Sequence, residues 1–333
     1  MSKRTILITG ATGGLGKALV REALARGHGV RATGRKCTIG DELAAMGAEF
    51  RWCDLADPAA DVFDLVQGCD SVIHAAGLSA SWGPREQFER VNVDGTRVIV
   101  EAARAAGCSR FVVISSPSIF ASLRDRTKIT ADAAPGDPPL NHYASTKLAA
   151  ERLVLAAADE NFATVAIRPR ALVGDGDQVI LPRLAEIAAR KRVPLPRHGK
   201  AMIELTDLRD AAWACLEAEE RAPATSPVAI NISGGKPIAV GELARKAADA
   251  LGLSPKFANL PLPLAHGVAR LLEYGARALR LQKEPPLTRY TLSTLGYSQT
   301  FDLAPAKMLL GYEPRYDAVA TLLEQAAAMR NSA

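Results

Sequence analysis

Two residues four positions apart, Tyr143 and Lys147, have the types and spacing needed for acid–base chemistry. They lie in a segment, Asn141–Ala158, that has helical spacing, so both side chains fall on one helix face. A phenol with a pKa of about 10 exchanges protons poorly at neutral pH, but a nearby ammonium favours the phenolate. We therefore expect Tyr143 to transfer a proton and Lys147 to lower its pKa.

A serine-rich turn offers the third chemical group. The fifth predicted strand ends in Ser115-Ser116-Pro117-Ser118, at the sheet edge where ligands bind in this architecture. We assign Ser116 to hydrogen bonding with a substrate carbonyl, because Pro117 turns the chain directly after it; Ser115 and Ser118 are the alternatives. With Tyr143 and Lys147, this hydroxyl would polarise a ketone during hydride transfer, or assist alcohol oxidation in reverse. The histidines lack metal-ligand spacing, so no metal is expected.

A glycine-rich turn, Gly10 to Gly16, follows the first predicted strand and opens a helix. In that context Gly10 permits a tight turn, Gly13 lets the backbone approach a pyrophosphate, and Gly16 lets the helix pack on the strand. The helix amino end favours the negative charge. The residues expected to contact a dinucleotide here are Gly10, Thr12, Gly13, Gly14, Leu15 and Gly16.

The end of the second predicted strand indicates which dinucleotide binds. An enzyme that prefers NAD offers an acidic residue about 20 residues beyond the glycines, and this chain has Thr33-Gly34-Arg35-Lys36 there. We expect Gly34 to leave room, and Arg35 with Lys36 to hold a 2′-phosphate. NADP(H) is therefore favoured, while NAD(H) stays possible, with Arg35 as an exposed loop residue.

Two further segments are expected under the cofactor. Asp54 can accept the adenine amino group and Leu55 can lie along the ring. The small residues Ala75, Ala76 and Gly77 let the backbone pass beneath the cofactor, whereas His74 is interpreted as a packed core histidine. Lys147 would also hold the nicotinamide ribose.

The elements that position these residues alternate along the first half of the chain. Short apolar runs are typical of strands buried in a parallel sheet, and helix-length segments separate them. The predicted strands are Thr5–Thr9, Gly29–Thr33, Glu49–Cys53, Ser71–His74, Arg110–Ser115 and Thr164–Arg168. This pattern predicts a Rossmann-type, doubly wound parallel sheet of the α/β class.

Beyond residue 170 the alternation loosens. Prolines interrupt the chain, a further strand is predicted at Val228–Ile232, and helices follow Ile238 and Ala265. We predict a dinucleotide-binding core that carries the catalytic residues over 1–170. A smaller, mainly C-terminal substrate lobe spans 171–333, with 200–235 returning to the core sheet.

The amino-acid composition is that of an ordinary globular protein. The chain has 333 residues, 48% of them hydrophobic, and a formal charge of +5 without a long basic run, so nucleic acid is not indicated. Five scattered cysteines predict reduced thiols. No signal peptide or membrane-length apolar stretch is found, which predicts a cytoplasmic protein.

These motifs resemble the extended short-chain dehydrogenase/reductase superfamily. The resemblance rests on the three glycines, Asp54, the stretches His74–Gly77 and Asn92–Thr96, Ser116, Tyr143 with Lys147, Arg168-Pro169 and Leu205–Asp207. It implies a catalytic triad of Ser116, Tyr143 and Lys147, a cofactor contact at Pro169, and pairing as a homodimer through helices of the cofactor domain.

Within the superfamily the chain resembles the 3β-hydroxysteroid dehydrogenase-like branch, including bacterial 2-alkyl-3-oxoalkanoate reductases and sterol dehydrogenases. The stretches that carry this are Ala80–Gly83, Pro285–Tyr290 and Lys307–Pro314. Nucleotide-sugar epimerases and dehydratases share the core, but they usually have an arginine where this chain has Lys200.

The favoured hypothesis is an NADP(H)-dependent enzyme. It would reduce a ketone, or oxidise the matching alcohol, in a bulky hydrophobic molecule such as a 2-alkyl-3-oxoalkanoate or a 3-keto- or 3β-hydroxysteroid. The Leu- and Ala-rich stretch Leu260–Leu281 would wall an apolar pocket, contact a membrane surface, or only pack the core. The alternatives are a nucleotide-sugar epimerase or dehydratase and a non-catalytic cofactor sensor.

Overall fold

The chain folds around a seven-stranded sheet, and the computed structural model describes residues 3–57 and 59–331. The strands are β1 (Thr5–Thr9), β2 (Gly29–Gly34), β3 (Glu49–Trp52), β4 (Ser71–His74), β5 (Arg110–Ile114), β6 (Arg126–Ile129), β7 (Ala163–Pro169), β8 (Leu172–Val173), β9 (Arg192–Pro196), β10 (Met202–Ile203), β11 (Thr206–Asp207), β12 (Val228–Ile232), β13 (Ile238–Ala239), β14 (Lys256–Leu260) and β15 (Gln299–Phe301).

The helices, numbered in the same way, connect and cover these strands. They are α1 (Gly14–Ala25), α2 (Cys37–Ala45), α3 (Val62–Val66), α4 (Arg85–Phe88), α5 (Gly95–Ala105), α6 (His142–Ala156), α7 (Ile180–Ala188), α8 (Leu208–Thr225), α9 (Val240–Ala250), α10 (Leu262–Ala278), α11 (Arg289–Gly296), α12 (Ala304–Leu310) and α13 (Ala318–Asn331). A π-helical turn covers Glu89–Asp94, and 3₁₀ turns cover Pro117–Phe120 and Arg197–Gly199.

The order of the central sheet confirms the predicted doubly wound α/β fold. Its strands run β12-β7-β5-β4-β1-β2-β3, and every pairing is parallel. The chain order reverses between β1 and β4, which opens a crevice at their carboxyl ends where ligands bind in such sheets.

Helices bury both faces of this sheet, because its strands are apolar on both sides. On one face α1 and α8 contribute buried side chains such as Leu19 and Leu216; on the other, α3, α5 and α6 contribute Leu65, Ile99 and Val154. This rigid core fixes the strand ends that carry the site.

A second lobe sits on the mixed sheet β13-β10-β15-β6 and the parallel pair β9–β14. Its core combines side chains of α7, α9 and α13 with those of the short strands beneath them, such as Val193 and Ile203. The short, polar strand β6 was not predicted from the sequence, and it lies before residue 170. β12 pairs with β7 at the edge of the central sheet. The division at residue 170 stays a prediction, and residues 1–2 and 332–333 of the predicted domains lie outside the described residues.

Candidate active site

The glycine-rich turn joins β1 to α1, and its glycines are required for different reasons. Gly10 has a φ of +64°, and a Cβ there would lie 2.6 Å from the Ala76 nitrogen. A Cβ on Gly16 would overlap the Gly10 carbonyl. At Gly13, by contrast, a Cβ would meet only the Gly10 oxygen, at 3.4 Å. Packing of the described residues therefore demands Gly10 and Gly16, while Gly13 leaves the backbone open to a ligand.

The amino end of α1 is suited to an anion. Its N-cap is Gly13, and no side chain among the described residues caps it, so its first N–H groups point outward without a partner of that kind. Gly14 is held by the neighbouring loop, since a Cβ there would lie 2.6 Å from the Gly176 carbonyl oxygen. Thr12 and Leu15 are largely buried at this turn. These features fit a bound pyrophosphate.

Arg35 and Lys36 extend from the end of β2. The Arg35 side chain is 65% exposed, and its Nη1 lies 3.7 Å from Oδ2 of Asp54. Lys36 donates a 3.2 Å hydrogen bond from Nζ to Gln178. A Cβ on Gly34 would lie 2.5 Å from Oγ1 of Thr12, so the packing here requires glycine; the expectation that Gly34 leaves room for a 2′-phosphate stays a prediction. An acidic side chain at position 34 would require Thr12 to move.

The Asp54 carboxylate is oriented by its own loop. Its Oδ1 accepts a 3.1 Å hydrogen bond from the Ala56 nitrogen, and its other oxygen faces Arg35. Leu55 packs against the core cluster that contains α5. Their roles beside an adenine ring stay predictions.

His74 is a structural residue, as its sequence context indicated. Its Nδ1 lies 2.8 Å from Oγ1 of Thr9, and its Nε2 lies 3.0 Å from Oγ1 of Thr96. Burial lowers its pKa to about 3, so the ring is neutral at physiological pH. Thr9 Oγ1 also accepts a hydrogen bond from the Ala76 nitrogen, which fixes the strip Ala75–Gly77.

Asn92 links that strip to the catalytic helix. Its Oδ1 accepts a 2.7 Å hydrogen bond from the Leu78 nitrogen, and its Nδ2 donates one of 3.1 Å to Thr146 on α6. Asn92 lies in the π-helical turn, a distortion often found at functional sites. A Cβ on Gly77 would lie 3.2 Å from Asn92 Oδ1 and 3.9 Å from Lys147 Nζ. The sequence identified the motif around Asn92 but gave this residue no role.

Lys147 is buried beneath the site, on α6. Its Nζ donates a hydrogen bond to the Ile114 carbonyl at the end of β5. Burial lowers its pKa to about 8, and the nearby carboxylate of Glu151 opposes that change. The helix starts at His142, because the Asn141 side chain caps it by accepting a 2.8 Å hydrogen bond from the Ala144 nitrogen.

The pKa of Tyr143 differs from the expectation. We expected Lys147 to lower it, but burial raises the pKa of the phenol above its usual value, and hydrogen bonding with Ser116 and Ser79 only partly offsets this. The Lys147 ammonium instead faces the Ile114 carbonyl. Tyr143 is therefore protonated at neutral pH, and no feature of the sequence near Ser79 indicated that it would face the phenol.

Among the three candidate serines, the structure places Ser116 beside Tyr143. Its Oγ accepts a 3.2 Å hydrogen bond from the Ser118 nitrogen at the start of the 3₁₀ turn. The hydroxyls of Ser115 and Ser118 are buried and have no hydrogen-bond partner among the described residues. Pro169, the expected cofactor contact, is the last residue of β7. In the sheet β7 is two strands away from β4, which borders the crevice.

A cavity of about 460 Å³ opens at the amino end of α6. Its lining includes Asn141 and His142, which directly precede Tyr143, but not Tyr143, Ser116 or Lys147 themselves. It is lined by loop 81–85, Phe88, residues 140–142, the end of α10 and the segment after it, Thr288 and Tyr290. The segment after α10 is tied to the loop, because Ser81 donates a 2.6 Å hydrogen bond to Glu284 and Trp82 donates one of 3.0 Å to the Leu281 carbonyl. Tyr290 is a lining residue to which the sequence assigned no role.

Among the described residues, no three or more His, Cys, Asp or Glu side chains cluster closely enough to hold a metal ion. The helices described also include none with the length and hydrophobicity of a membrane span.

The chain matches one family and several known proteins. Residues 6–233 match the profile of the NAD dependent epimerase/dehydratase family. The chain is 36% identical over 315 residues to a 2-alkyl-3-oxoalkanoate reductase of Stenotrophomonas maltophilia, covering 93% of this chain and 94% of that protein. It is 26% identical over 316 residues to the mouse (Mus musculus) sterol-4-alpha-carboxylate 3-dehydrogenase, decarboxylating, covering 92% and 86%. The solved structure of MoeE5 in complex with UDP-glucose and NAD has a TM-score of 0.74 and 25% identity, covering 98% and 99%.

Proposed function

The chain belongs to the NAD dependent epimerase/dehydratase family. Its likeness to a reductase and a dehydrogenase within that fold indicates an NAD(P)-dependent oxidoreductase, and we propose that it reduces a ketone within a bulky hydrophobic molecule. The observation that carries this proposal is the position of Tyr143. Its phenol lies against the Ser116 hydroxyl and close to Tyr290, which lines the cavity. A carbonyl bound there would meet two hydroxyl donors.

The chain's own residues would handle the proton. A bound nicotinamide dinucleotide supplies the hydride. Ser116 donates a hydrogen bond to the ketone oxygen, and Tyr143 gives its proton to that oxygen as negative charge develops. The raised pKa of Tyr143 suits a proton donor. Lys147, which donates a hydrogen bond to the Ile114 carbonyl, lies one helical turn away and would stabilise the phenolate left behind through its positive charge.

The cofactor proposed is NADP(H). The open backbone at Gly13 and the amino end of α1 fit the pyrophosphate, and the exposed cations Arg35 and Lys36 fit a 2′-phosphate. The Arg35 guanidinium is only loosely held by Asp54, so it is available for such a contact. The other contacts expected from the sequence stay predictions.

The substrate class follows from the names of the relatives and from the cavity. The two names are 2-alkyl-3-oxoalkanoate reductase and sterol-4-alpha-carboxylate 3-dehydrogenase. Both describe a carboxylic acid with an apolar body, in which the carbon that is reduced or oxidised is separated from the carboxylate by one carbon. The cavity has room for such a molecule, and apolar side chains such as Phe88 and Leu140 line it. We propose a 3-oxo acid of this kind, with a ketosteroid as the other candidate.

The likeness to MoeE5 supports a second candidate, a nucleotide-sugar epimerase or dehydratase. Lys200, which stands where such enzymes usually have an arginine, is exposed at the end of the turn Arg197–Gly199. The two functions differ in what happens to the cofactor. A reductase consumes it, whereas an epimerase regenerates it within each turnover. Protein purified with tightly retained oxidised cofactor, and with no net change in nicotinamide absorbance during turnover, would favour the epimerase; free exchange with net NADPH oxidation would favour the reductase.

We also propose contact between α10 and an anionic membrane surface. Five exposed apolar side chains, Leu264, Leu271, Tyr274, Leu279 and Leu281, share this helix and its end with the basic residues Arg270, Arg277, Arg280 and Lys283. Exposed leucines mixed with cations fit an anionic bilayer. The same helix end lines the cavity, so a membrane-dissolved substrate would enter from this side.

We propose a homodimer that pairs through the outer faces of α5 and α6. These helices pack side by side, and Val98 on α5 is 42% exposed. Val98→Glu should convert the dimer to a monomer in sedimentation experiments, and a wild-type protein that sediments as a monomer would contradict the proposal.

A further inference from the structure

One buried arginine, which follows the strand next to β5, has no ion-pair partner among the described residues. Arg170 directly follows β7 and is 8% exposed. Its backbone is fixed, since its nitrogen donates a 3.0 Å hydrogen bond to the Ile232 carbonyl. Its Nε is buried with no hydrogen-bond partner, and its guanidinium forms no ion pair with any described residue. A buried guanidinium without compensation is costly, so an unpaired one indicates a missing anion.

Two other buried arginines of this protein are paired with carboxylates. Arg168, two residues earlier, donates hydrogen bonds to both oxygens of Glu151. Arg31 donates a 2.9 Å hydrogen bond to Glu49. Arg170 therefore departs from the pattern.

The carboxylate whose charge acts on Arg170 is hydrogen-bonded to other groups. Glu204 acts on Arg170 only at a distance, because its Oε2 accepts hydrogen bonds from Ser233 Oγ, at 2.7 Å, and from the Phe301 nitrogen, at 3.3 Å. Burial raises the pKa of Glu204. Arg170 thus keeps a charge that no described carboxylate contacts directly, since a guanidinium does not lose its proton in proteins.

The sheet places Arg170 at the same edge as Ser116. β7, which ends just before Arg170, pairs with β5, and the Ser115 nitrogen donates a hydrogen bond to the Ile167 carbonyl of β7. Tyr290 lines the cavity, and its charge interactions include both Tyr143 and Arg170. Arg183 is also within range of Tyr290, but its charge is met by Glu284 at 3.2 Å and its Nη2 donates to Thr291. Of these two arginines, only Arg183 forms an ion pair with a described residue.

We infer that Arg170 binds the carboxylate of the substrate, next to the ketone that Tyr143 protonates. The inference rests on the proposed function and assigns a residue to the acid group of that substrate class. A guanidinium matches a carboxylate through two parallel hydrogen bonds, which also fixes the orientation of the bound molecule. In a 3-oxo acid a single carbon separates the carboxylate from the keto carbon. Binding of the carboxylate by Arg170 would therefore place that keto oxygen at Tyr143 and Ser116.

The test compares an acid with its uncharged counterpart. A 2-alkyl-3-oxoalkanoate and its methyl ester are offered to the wild type, and kcat/KM is measured for each. The wild type should favour the acid by about tenfold or more, which is what one or two charge-assisted hydrogen bonds provide. Arg170→Gln should reduce that acid-to-ester ratio by at least about tenfold, mainly through a higher KM for the acid, and Arg170→Lys should restore part of it.

Arg183→Gln is the matched control, because it removes an arginine whose charge is already paired; its acid-to-ester ratio should stay near that of the wild type. Thermal melting of Arg170→Gln checks the fold, and the melting temperature should not fall, since the variant removes an uncompensated buried charge. Equal losses on acid and ester in Arg170→Gln, or a wild type indifferent to the charge, would overturn the role of Arg170 while leaving the reductase proposal standing. If the wild type reduces neither compound nor any ketone, the proposed function itself fails.

Discussion

Arg168 on β7 donates a 2.8 Å hydrogen bond from Nε to Oε2 of Glu151 on α6, and both side chains are almost fully buried. A second hydrogen bond joins Nη2 to Oε1. Because Tyr143 and Lys147 lie on the same helix as Glu151, this pair fixes the catalytic residues relative to the sheet edge.

Glu151→Gln should destabilise the protein strongly, because it leaves the buried Arg168 guanidinium without its counter-charge. We expect a loss of about 3–5 kcal/mol in the free energy of unfolding, measured by urea denaturation. Glu42→Gln is the control: Glu42 pairs with Lys17 at the surface and should change stability by about 1 kcal/mol or less. Equal effects of the two substitutions would contradict the structural role of the buried pair.

The pH profile of reduction should reflect Lys147. Its pKa is about 8, so the ammonium predominates below that pH and is lost as the pH rises through it. Tyr143, whose pKa is raised, stays protonated over this range. We therefore expect kcat/KM for ketone reduction to decline above about pH 8. Lys147→Arg keeps its charge at all these pH values, so whatever activity it retains should not decline there; an identical decline in both proteins would assign the titration to another group.

Arg35→Ala should weaken NADPH binding and leave NADH binding nearly unchanged. Loss of a charge-assisted contact with the 2′-phosphate costs about 1–3 kcal/mol, or roughly 5- to 150-fold in Kd. Fluorescence titration of both cofactors measures this. Arg51, on the neighbouring strand β3, forms ion pairs with Glu49 and Asp64. Arg51→Ala should affect the binding of NADPH and NADH equally. Parallel losses for NADPH and NADH in Arg35→Ala would refute the 2′-phosphate contact.

Membrane contact can be measured by co-sedimentation with lipid vesicles. The wild type should bind vesicles that contain anionic phosphatidylglycerol, bind neutral phosphatidylcholine vesicles less, and dissociate in high salt. Leu271→Glu combined with Leu279→Glu should abolish binding. Met308→Glu, at a position 76% exposed outside α10, should bind like the wild type. Wild-type protein that stays in the supernatant with anionic vesicles would remove the proposal.

The sequence predicted the sheet well because local patterns determine it. The strands Thr5–Thr9, Ser71–His74 and Val228–Ile232 were predicted at their observed bounds, since buried parallel strands are continuous apolar runs. The glycine turn was recognisable because backbone geometry restricts the residue type. Both signals are contained in a few neighbouring residues.

The rest depends on contacts between distant parts of the chain. β6 is short and polar, and it is a strand only because β15 pairs with it across about 170 residues of sequence. Tyr290 on α11 lines the same cavity as residues 140–142, which are distant from it in the sequence. The direction of the Tyr143 pKa shift was misjudged for the same reason: spacing on α6 puts Lys147 nearby, but burial by other elements dominates.

The central claim is that this enzyme transfers hydride from a nicotinamide cofactor to a hydrophobic ketone with Tyr143 as the proton donor. The most direct measurement follows NADPH absorbance with a long-chain 2-alkyl-3-oxoalkanoate, in wild type and in Tyr143→Phe, with UDP-glucose as the comparison substrate. We predict oxidation of NADPH in step with formation of the 3-hydroxy acid, no reaction of UDP-glucose, and a loss of about 100- to 10,000-fold in Tyr143→Phe with NADPH still bound. Retained activity in Tyr143→Phe, or turnover of UDP-glucose without net NADPH oxidation, would contradict the account.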